Sequence, residues 1–157
     1  MFTRNVTSAP VAVRAAGSGE LAAVLAMAVA FYAEDGFSTG EKELRDNLTT
    51  LLASSAARVA VACSGDQLLG FAITTTSFGL ENGLIAELED LFVVPGARRR
   101  GLAGLLIEDS AGWARERGCR CLELVVAPND REVGHLFAYY RERGFRDDGR
   151  RLISRRL

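Results

Sequence analysis

The spacing of apolar residues changes abruptly near residue 55, and this change limits the folds that the chain can adopt. A short apolar segment at 11–16 predicts a strand, and residues 19–36 and about 41–54 then show the spacing of helices. Residues 57–94 instead predict three strands, the first two joined by a Gly-Asp turn and the third closed by Pro95. We therefore expect two helices followed by an antiparallel meander.

The second half of the chain returns to alternating helices and strands. Helices are expected at 101–117 and 131–143, and strands at 119–127 and 150–157. No internal repeat or linker interrupts this order. The pattern predicts one mixed α/β (α+β) domain over residues 1–157.

Composition narrows the class of protein. Hydrophobic residues make up 48% and charged residues 25%, which is typical of a globular protein. The three cysteines have no disulfide-framework spacing, and neither a membrane span nor a signal peptide is evident, so we expect a cytoplasmic protein without a membrane partner. His135 is the only histidine and has no ligand-like neighbours, so no metal is expected.

The two halves of the chain carry opposite charge. Residues 1–90 hold 11 acidic and 5 basic side chains, a net charge of −6, whereas residues 91–157 hold 9 acidic and 14 basic ones, a net charge of +5. One interpretation is chance clustering of surface charge. The other is a cation-binding half beside an anion-binding half. Nucleic-acid binding is disfavoured because the chain as a whole is not basic.

Residues 98–106, "RRRGLAGLL", place three arginines and several small residues where a helix begins. A helix N-terminus presents unpaired N–H groups, and small residues let an anion approach them. A basic turn exposed to solvent is the simpler interpretation. A Walker A loop is excluded because the only lysine, Lys42, lies far away.

Residues 131–143 carry a second candidate. Tyr140 falls on a predicted apolar stripe with Val133, Leu136 and Phe137, whereas Tyr139 is turned away from it. An inward phenol beside a ligand can donate a proton. From the helix alone, a packed core aromatic is the more common outcome.

Together, "LEDLFVVP" followed by "RRRGLA" (98–103) and then "YRERGF" (140–145) resembles the GNAT superfamily of acetyl-CoA-dependent N-acyltransferases. The resemblance covers the chain from Val11 onward. It implies a central, mostly antiparallel twisted sheet of six to seven strands, flanked by about four helices. It also implies acetyl-CoA as the acetyl donor and no metal.

The resemblance assigns roles to particular residues. The main chain at Leu91 to Val93 would pair with the pantetheine arm and polarise the thioester carbonyl, and Tyr140 would protonate the departing thiolate. Backbone amides from Arg98 to Gly104 would hold the pyrophosphate. Either Asn129 reaches the pantetheine from a longer loop, or that contact, usual for the family, is missing. The implied cofactor-binding residues are Leu91, Phe92, Val93, Arg98, Arg99, Arg100, Gly101, Leu102, Ala103, Gly104 and Asn129.

An amine acceptor must lose a proton before it attacks, since an alkyl ammonium has a pKa of about 10.4. Strand alternation predicts that Glu87 and Glu89 share one face of their strand and that Asp90 lies on the other. Glu87 and Glu123 match general-base positions of different family members. A charged residue on a strand more often simply faces solvent.

The loop between the first two helices walls the acceptor site in the family. Here Phe31 and Tyr32 are candidates to contact an apolar part of the acceptor, and Glu34, Asp35 and Glu89 to bind its ammonium. The alternative is an ordinary helix end with solvated acids.

The sequence thus favours an acetyl-CoA-dependent N-acetyltransferase in which a primary amine attacks the thioester directly in a ternary complex. The expected acceptor is a small cationic amine, such as a polyamine or an aminoglycoside. The alternatives are a protein N-terminal or lysine acetyltransferase and, in another class, a non-catalytic CoA-binding sensor or interaction module. The last predicted strand also permits a homodimer.

Overall fold

The computed structural model describes residues 9–128 and 132–157. Its regular elements alternate in type much as the apolar spacing predicts. In chain order they are β1 (Val11–Ala15), α1 (Leu21–Asp35), α2 (Glu41–Ala53), β2 (Ala57–Ser64), β3 (Gln67–Gly79), β4 (Gly83–Val93), α3 (Leu102–Glu116), β5 (Leu122–Leu124) and α4 (Gly134–Glu142). Single 3₁₀ turns at Ser18–Glu20 and Pro95–Ala97 precede α1 and α3.

The strands form one sheet in the order β1-β2-β3-β4-β5. The first four strands are antiparallel neighbours, so the predicted meander is confirmed. Strand β5 joins the edge of the sheet parallel to β4, as the helical connection α3 between them requires. The mixed α/β class is therefore confirmed.

Two predicted strands are shorter than expected or missing. Within the described residues the sheet has five strands rather than six to seven. Only Leu122–Leu124 of the predicted segment 119–127 forms a regular strand, although Arg120 and Cys121 also make backbone hydrogen bonds to β4, and residues 150–157 form no regular structure. An apolar segment becomes a strand only where it pairs with a neighbouring strand, and the tail pairs with neither edge of the described sheet and is exposed, with Ile153 92% accessible.

The sheet separates two apolar layers. On one face, α1 and α2 cover Val59, Val61, Phe71, Ile73 and Phe92. On the other face, α3 inserts Leu102, Leu106 and Ile107 against Ala60, Ala72, Leu88 and Val93. Burial of these side chains, worth about 1.5–3 kcal/mol for each large one, fixes the helices on the two faces. No helix in the described parts of the chain is long and apolar enough to cross a membrane.

Candidate active site

Strand β4 contains a bulge that decides where its acidic residues point. The pairing with β3 joins Leu88 to Thr74 and Asp90 to Ile73, so Glu89 is an extra residue without an opposite partner. A bulge shifts the alternation of side chains by one position. Glu89 and Asp90 therefore both face α1 and α2. The prediction that Asp90 lies on the other face is wrong, because simple alternation ignores the extra residue.

Beyond the bulge, β4 separates from β5. The two strands pair only from Ala86 to Leu88 of β4, so in the described chain the β5 side of the following residues has no strand partner. Val94 donates its N–H to Leu69 on β3, and by alternation Phe92 also points its main-chain groups towards β3. The main-chain groups of Leu91 and Val93 therefore point to the open edge. The sequence predicts main-chain contacts to pantetheine from Leu91 to Val93. The main-chain groups of Phe92 point to β3 instead of the open edge.

The arginine-rich loop leads from this edge into α3. Arg99 and Gly101 both have positive φ, 60° and 81°, and this reverses the chain so that α3 begins directly after Gly101. The side chain of Leu102 is buried and anchors the first turn, while Ala103 and Gly104 are half-buried. The first N–H groups of the helix have no acceptor within it. These N–H groups lie where the sequence predicts an anion cradle, and the cradle itself stays a prediction.

The side chain of Arg98 does not point into this cradle. Its Nη2 lies 2.8 Å from Oε2 of Glu34 at the end of α1, and its Nε donates to the carbonyl oxygen of Val93 at 2.9 Å. The guanidinium also lies 5.5 Å from the ring centre of Phe92. Arg98 therefore fastens α1 to the open edge of β4, and any contribution that it makes to the cradle comes from its backbone. Arg99 and Arg100 are exposed beside the cradle.

Tyr140 is held at the end of α4 by the residues that follow it. Gly144 has a φ of 88°, which turns the chain so that the N–H of Phe145 donates to the carbonyl of Tyr140 at 3.1 Å. The Phe145 ring then packs edge-on against the Tyr140 ring, with centroids 5.6 Å apart. Burial raises the pKa of Tyr140 above its ordinary value, as does the neighbouring Tyr139, while Arg143 acts in the opposite direction. The phenol therefore stays protonated at neutral pH, as a general acid requires.

The inward stripe of α4 differs from the predicted one. Tyr139 is half-buried and packs with Tyr140 against the α3 side of the core, whereas Phe137 is 39% exposed. The helix has only nine residues and begins at Gly134. Its buried face is set by contact with α3 rather than by the longer helix that the sequence predicted.

A cavity of about 380 Å³ lies between α1, α2 and the bulged part of β4. Its walls are mostly apolar, and its polar groups come from Tyr32, Asn47, Thr50, Thr75, Glu89 and Asp90. The Tyr32 hydroxyl donates to Oδ1 of Asp90 at 3.1 Å, and the Thr75 hydroxyl donates to Oε1 of Glu89 at 2.8 Å. Both carboxylates are thereby oriented on the β4 side of the cavity.

Two acidic residues of β4, Glu87 and Asp90, have raised pKa values, so a cation bound beside them would stabilise their charged forms. Desolvation raises the pKa of Asp90, the Tyr32 hydrogen bond opposes this shift, and the charge of Glu89 adds to it. Desolvation, followed by the charges of Glu89 and Glu123, likewise raises the pKa of Glu87. Glu87 lies opposite Glu123 in the β4–β5 pairing, so two carboxylates stand on neighbouring strands. An ammonium group nearby would relieve both the repulsion and the desolvation.

The residues predicted for the acceptor wall divide into two sets. Tyr32 and Glu89 line the cavity, whereas Phe31, Glu34 and Asp35 do not. Phe31 packs inside an aromatic cluster with Tyr32, Phe37, Phe71 and Phe92. Glu34 is paired with Arg98. Asn129 lies outside the described residues.

Asp90 is the residue of this site that sequence reasoning missed. An acidic residue inside an otherwise apolar strand end is a signal, since Asp90 directly precedes the buried segment from Leu91 to Val93. The face of β4 to which the Asp90 side chain points depends on the bulge, and the sequence pattern does not reveal that bulge.

The sequence and the fold are similar to those of known proteins. Residues 22–145 match the family described as the Acetyltransferase (GNAT) family. The chain is 34% identical over 82 residues to the aminoglycoside N(6')-acetyltransferase type 1 of Klebsiella aerogenes, which covers 50% of this chain and 54% of that protein. It is 36% identical over 117 residues to the streptothricin acetyltransferase of Streptomyces lavendulae, covering 74% of this chain and 56% of that protein.

Among solved structures, the aminoglycoside N-acetyltransferase AAC(6')-Iy in complex with CoA superposes with a TM-score of 0.82 at 19% identity, covering 96% of this chain and 97% of that one. This likeness shows the fold. The chain spans little more than half the length of the two curated relatives named above. The family match extends from α1 to the Phe145 that packs on Tyr140, and the chain belongs to the Acetyltransferase (GNAT) family.

Proposed function

We propose that this protein is an acetyl-CoA-dependent N-acetyltransferase that acts on a small cationic amine of the polyamine or aminoglycoside type. The observation that carries the proposal is the bulge in β4, which turns Glu89 and Asp90 together into a cavity beside the open main-chain edge at Leu91. Two carboxylates at the end of an apolar cavity suit an ammonium group on a small organic body.

The residues present fit acetyl-CoA as the donor. The open edge offers the main-chain groups of Leu91 and Val93 to the pantetheine arm, and the first turn of α3 offers N–H groups to a diphosphate. The donor supplies an activated acetyl thioester. The chain contributes positioning, and a main-chain N–H at the thioester carbonyl is the kind of donor that is worth about 3 kcal/mol in acyl transfer.

Proton transfers would fall to groups on either side of that edge. Glu87 or Asp90 would take a proton from the incoming ammonium, directly or through water, since Asp90 lines the cavity, Glu87 lies on the same strand, and both have raised pKa values. Tyr140, kept protonated by burial, would give a proton to the departing thiolate. Glu123, exposed on β5, would act through its charge on Glu87.

The relatives support the acceptor class. One of them is named as an aminoglycoside N(6')-acetyltransferase and another as a streptothricin acetyltransferase. The cavity volume of about 380 Å³ accommodates such a molecule or part of one, because ligand pockets of this kind commonly measure about 300–1,000 Å³.

The test is release of CoA thiol from acetyl-CoA in the presence of polyamines, aminoglycosides, or peptides with a free N-terminus or lysine. We expect release with at least one of the first two classes and little with peptides. Asp90→Asn and Glu89→Gln should raise KM for the amine, while Glu43→Gln, which removes an exposed acid on α2, should not.

The other outcomes separate the alternatives. Release with peptides alone would favour a protein N-terminal or lysine acetyltransferase. Tight acetyl-CoA binding without release for any acceptor would favour a CoA-binding sensor or interaction module.

A further inference from the structure

The side chain of Arg143 crosses from the end of α4 to the start of α3. Its Nη1 donates to the carbonyl of Tyr139 at 3.0 Å, and its guanidinium carbon lies 3.5 Å from the centre of the Tyr139 ring. Its Nε and Nη2 lie 3.6 and 3.7 Å from the position that a Cβ on Gly104 would occupy. The guanidinium is thus stacked flat on one helix and rests against the first turn of the other.

This placement puts a third source of positive charge at the cradle. The first turn of α3 already presents N–H groups without acceptors, and Arg99 and Arg100 lie just before it. In the residues that the structure describes, no carboxylate lies within ion-pair distance of Arg143. A guanidinium held in a fixed orientation among other positive groups, without an anionic partner, is a site prepared for a bound anion.

The position of Gly104 shows how close the guanidinium comes to α3. A Cβ at Gly104 would meet the guanidinium at ordinary van der Waals distance, so the guanidinium lies beside the first turn of α3, where the N–H groups of Leu102 and Ala103 have no acceptor within the helix. The planar fork of arginine suits a phosphate, which it can bind with two parallel hydrogen bonds. The Tyr139 ring holds that fork in place, which reduces the entropy lost on binding.

We propose that Arg143 is a phosphate-binding residue for the CoA moiety, closing the cradle from the α4 side. This inference rests on the proposed acetyl-CoA-dependent function. The group that it binds is a phosphate of CoA, and two phosphates share this chemistry: the diphosphate and the 3'-phosphate of the ribose.

The test measures binding directly by calorimetry, with CoA and with 3'-dephospho-CoA, for the unaltered protein, Arg143→Gln and Arg141→Gln. Arg141 is exposed on the same helix, so its variant loses the same charge without disturbing the cradle. We expect Arg143→Gln to weaken CoA binding about tenfold or more, a change of about 1.4 kcal/mol, and Arg141→Gln to change it less than twofold. The unfolding temperature of both variants establishes that they are folded.

The two ligands distinguish the two phosphates. If Arg143 binds the diphosphate, Arg143→Gln weakens both ligands by the same factor. If it binds the 3'-phosphate, the variant loses affinity for CoA alone and no longer distinguishes the two ligands. Equal affinities for the unaltered protein and Arg143→Gln, with both ligands, would overturn the inference and leave the proposed function standing. Failure of the unaltered protein to bind CoA would overturn both.

Arg143→Lys supplies a second variant. It keeps the charge but lacks the planar fork that stacks on Tyr139, so we expect an affinity between those of the unaltered protein and Arg143→Gln. An affinity for Arg143→Lys as low as that for Arg143→Gln would attribute the effect to the fork. Full recovery would attribute it to charge alone, and either result is consistent with phosphate binding.

Discussion

The hydroxyl of Tyr32 on α1 donates a hydrogen bond of 3.1 Å to Oδ1 of Asp90 on β4, and this bond joins the acceptor wall to the strand that carries the open edge. The bond also opposes the rise in the pKa of Asp90 that burial causes. It therefore keeps a half-buried carboxylate available in its charged form, the form that binds an ammonium.

Tyr32→Phe removes that donor while keeping the ring in the aromatic cluster. We expect the pKa of Asp90 to rise further, so the acid limb of the pH profile of kcat/KM should move to higher pH. Phe37→Leu, which alters the same cluster without removing a hydrogen bond, should leave that limb in place. A limb that does not move in Tyr32→Phe would show that Asp90 does not titrate in the reaction.

Most of the fold can be predicted from the sequence because the apolar spacing within each segment agrees with the helix or strand that the segment forms. The meander, the helices on its two faces and the turn at Gly101 all follow from local patterns. The errors fall where a distant partner decides the outcome. Residues 150–157 carry strand-like composition but pair with neither edge strand of the described sheet, and the short β5 reflects the separation from β4 that creates the site.

Only part of the candidate site could be predicted from the sequence. The cradle and Tyr140 are local motifs, so their positions follow from sequence. The direction of Asp90 depends on an extra residue in a strand, and the use of Arg98 depends on Glu34, 64 positions earlier in the chain. Neither the extra residue in β4 nor the contact between Arg98 and Glu34 produces a periodic pattern in the sequence.

Glu87→Gln should make the protein more stable and less active. The raised pKa of Glu87 means that the folded state holds this proton more tightly than the unfolded chain, so ionisation lowers the free energy of unfolding as pH rises through the folded pKa. Replacement by glutamine should therefore raise the unfolding temperature at pH 7. The gain should vanish below the ordinary glutamate pKa of about 4.3.

The activity of Glu87→Gln checks its role in catalysis, with Glu123→Gln for comparison. If Glu87 takes the proton of the amine, kcat should fall in Glu87→Gln. Glu123→Gln removes a like charge and should lower the pKa of Glu87, moving the acid limb of the kcat profile to lower pH. An unchanged kcat in Glu87→Gln would mean that Asp90 or water, rather than Glu87, takes the proton of the amine.

Tyr140→Phe should lower kcat without weakening acetyl-CoA binding. Burial raises the pKa of the Tyr140 phenol and keeps it protonated at neutral pH, and general-acid catalysis is worth about 10²–10⁴-fold in rate. Rates from single turnovers and affinities from calorimetry separate the two effects. Tyr139→Phe is the matched control, because it removes a neighbouring hydroxyl and keeps the ring on which Arg143 stacks. Equal losses in both variants would argue against a proton donated by Tyr140.

The Arg98–Glu34 pair should contribute more to the geometry of the site than to stability. The two side chains are 40% and 42% exposed, so Glu34→Gln should change the free energy of unfolding by less than about 1 kcal/mol. Arg98→Gln should cost more, since the Val93 carbonyl at the open edge also loses its donor. We expect Arg98→Gln to raise KM for acetyl-CoA several-fold and Glu34→Gln to raise it less.

A double-mutant cycle on KM measures the coupling between Arg98 and Glu34, and the exposed Lys42–Asp46 pair on α2 provides a reference pair. Coupling no greater than in that reference would mean that Arg98 acts on Val93 without help from α1.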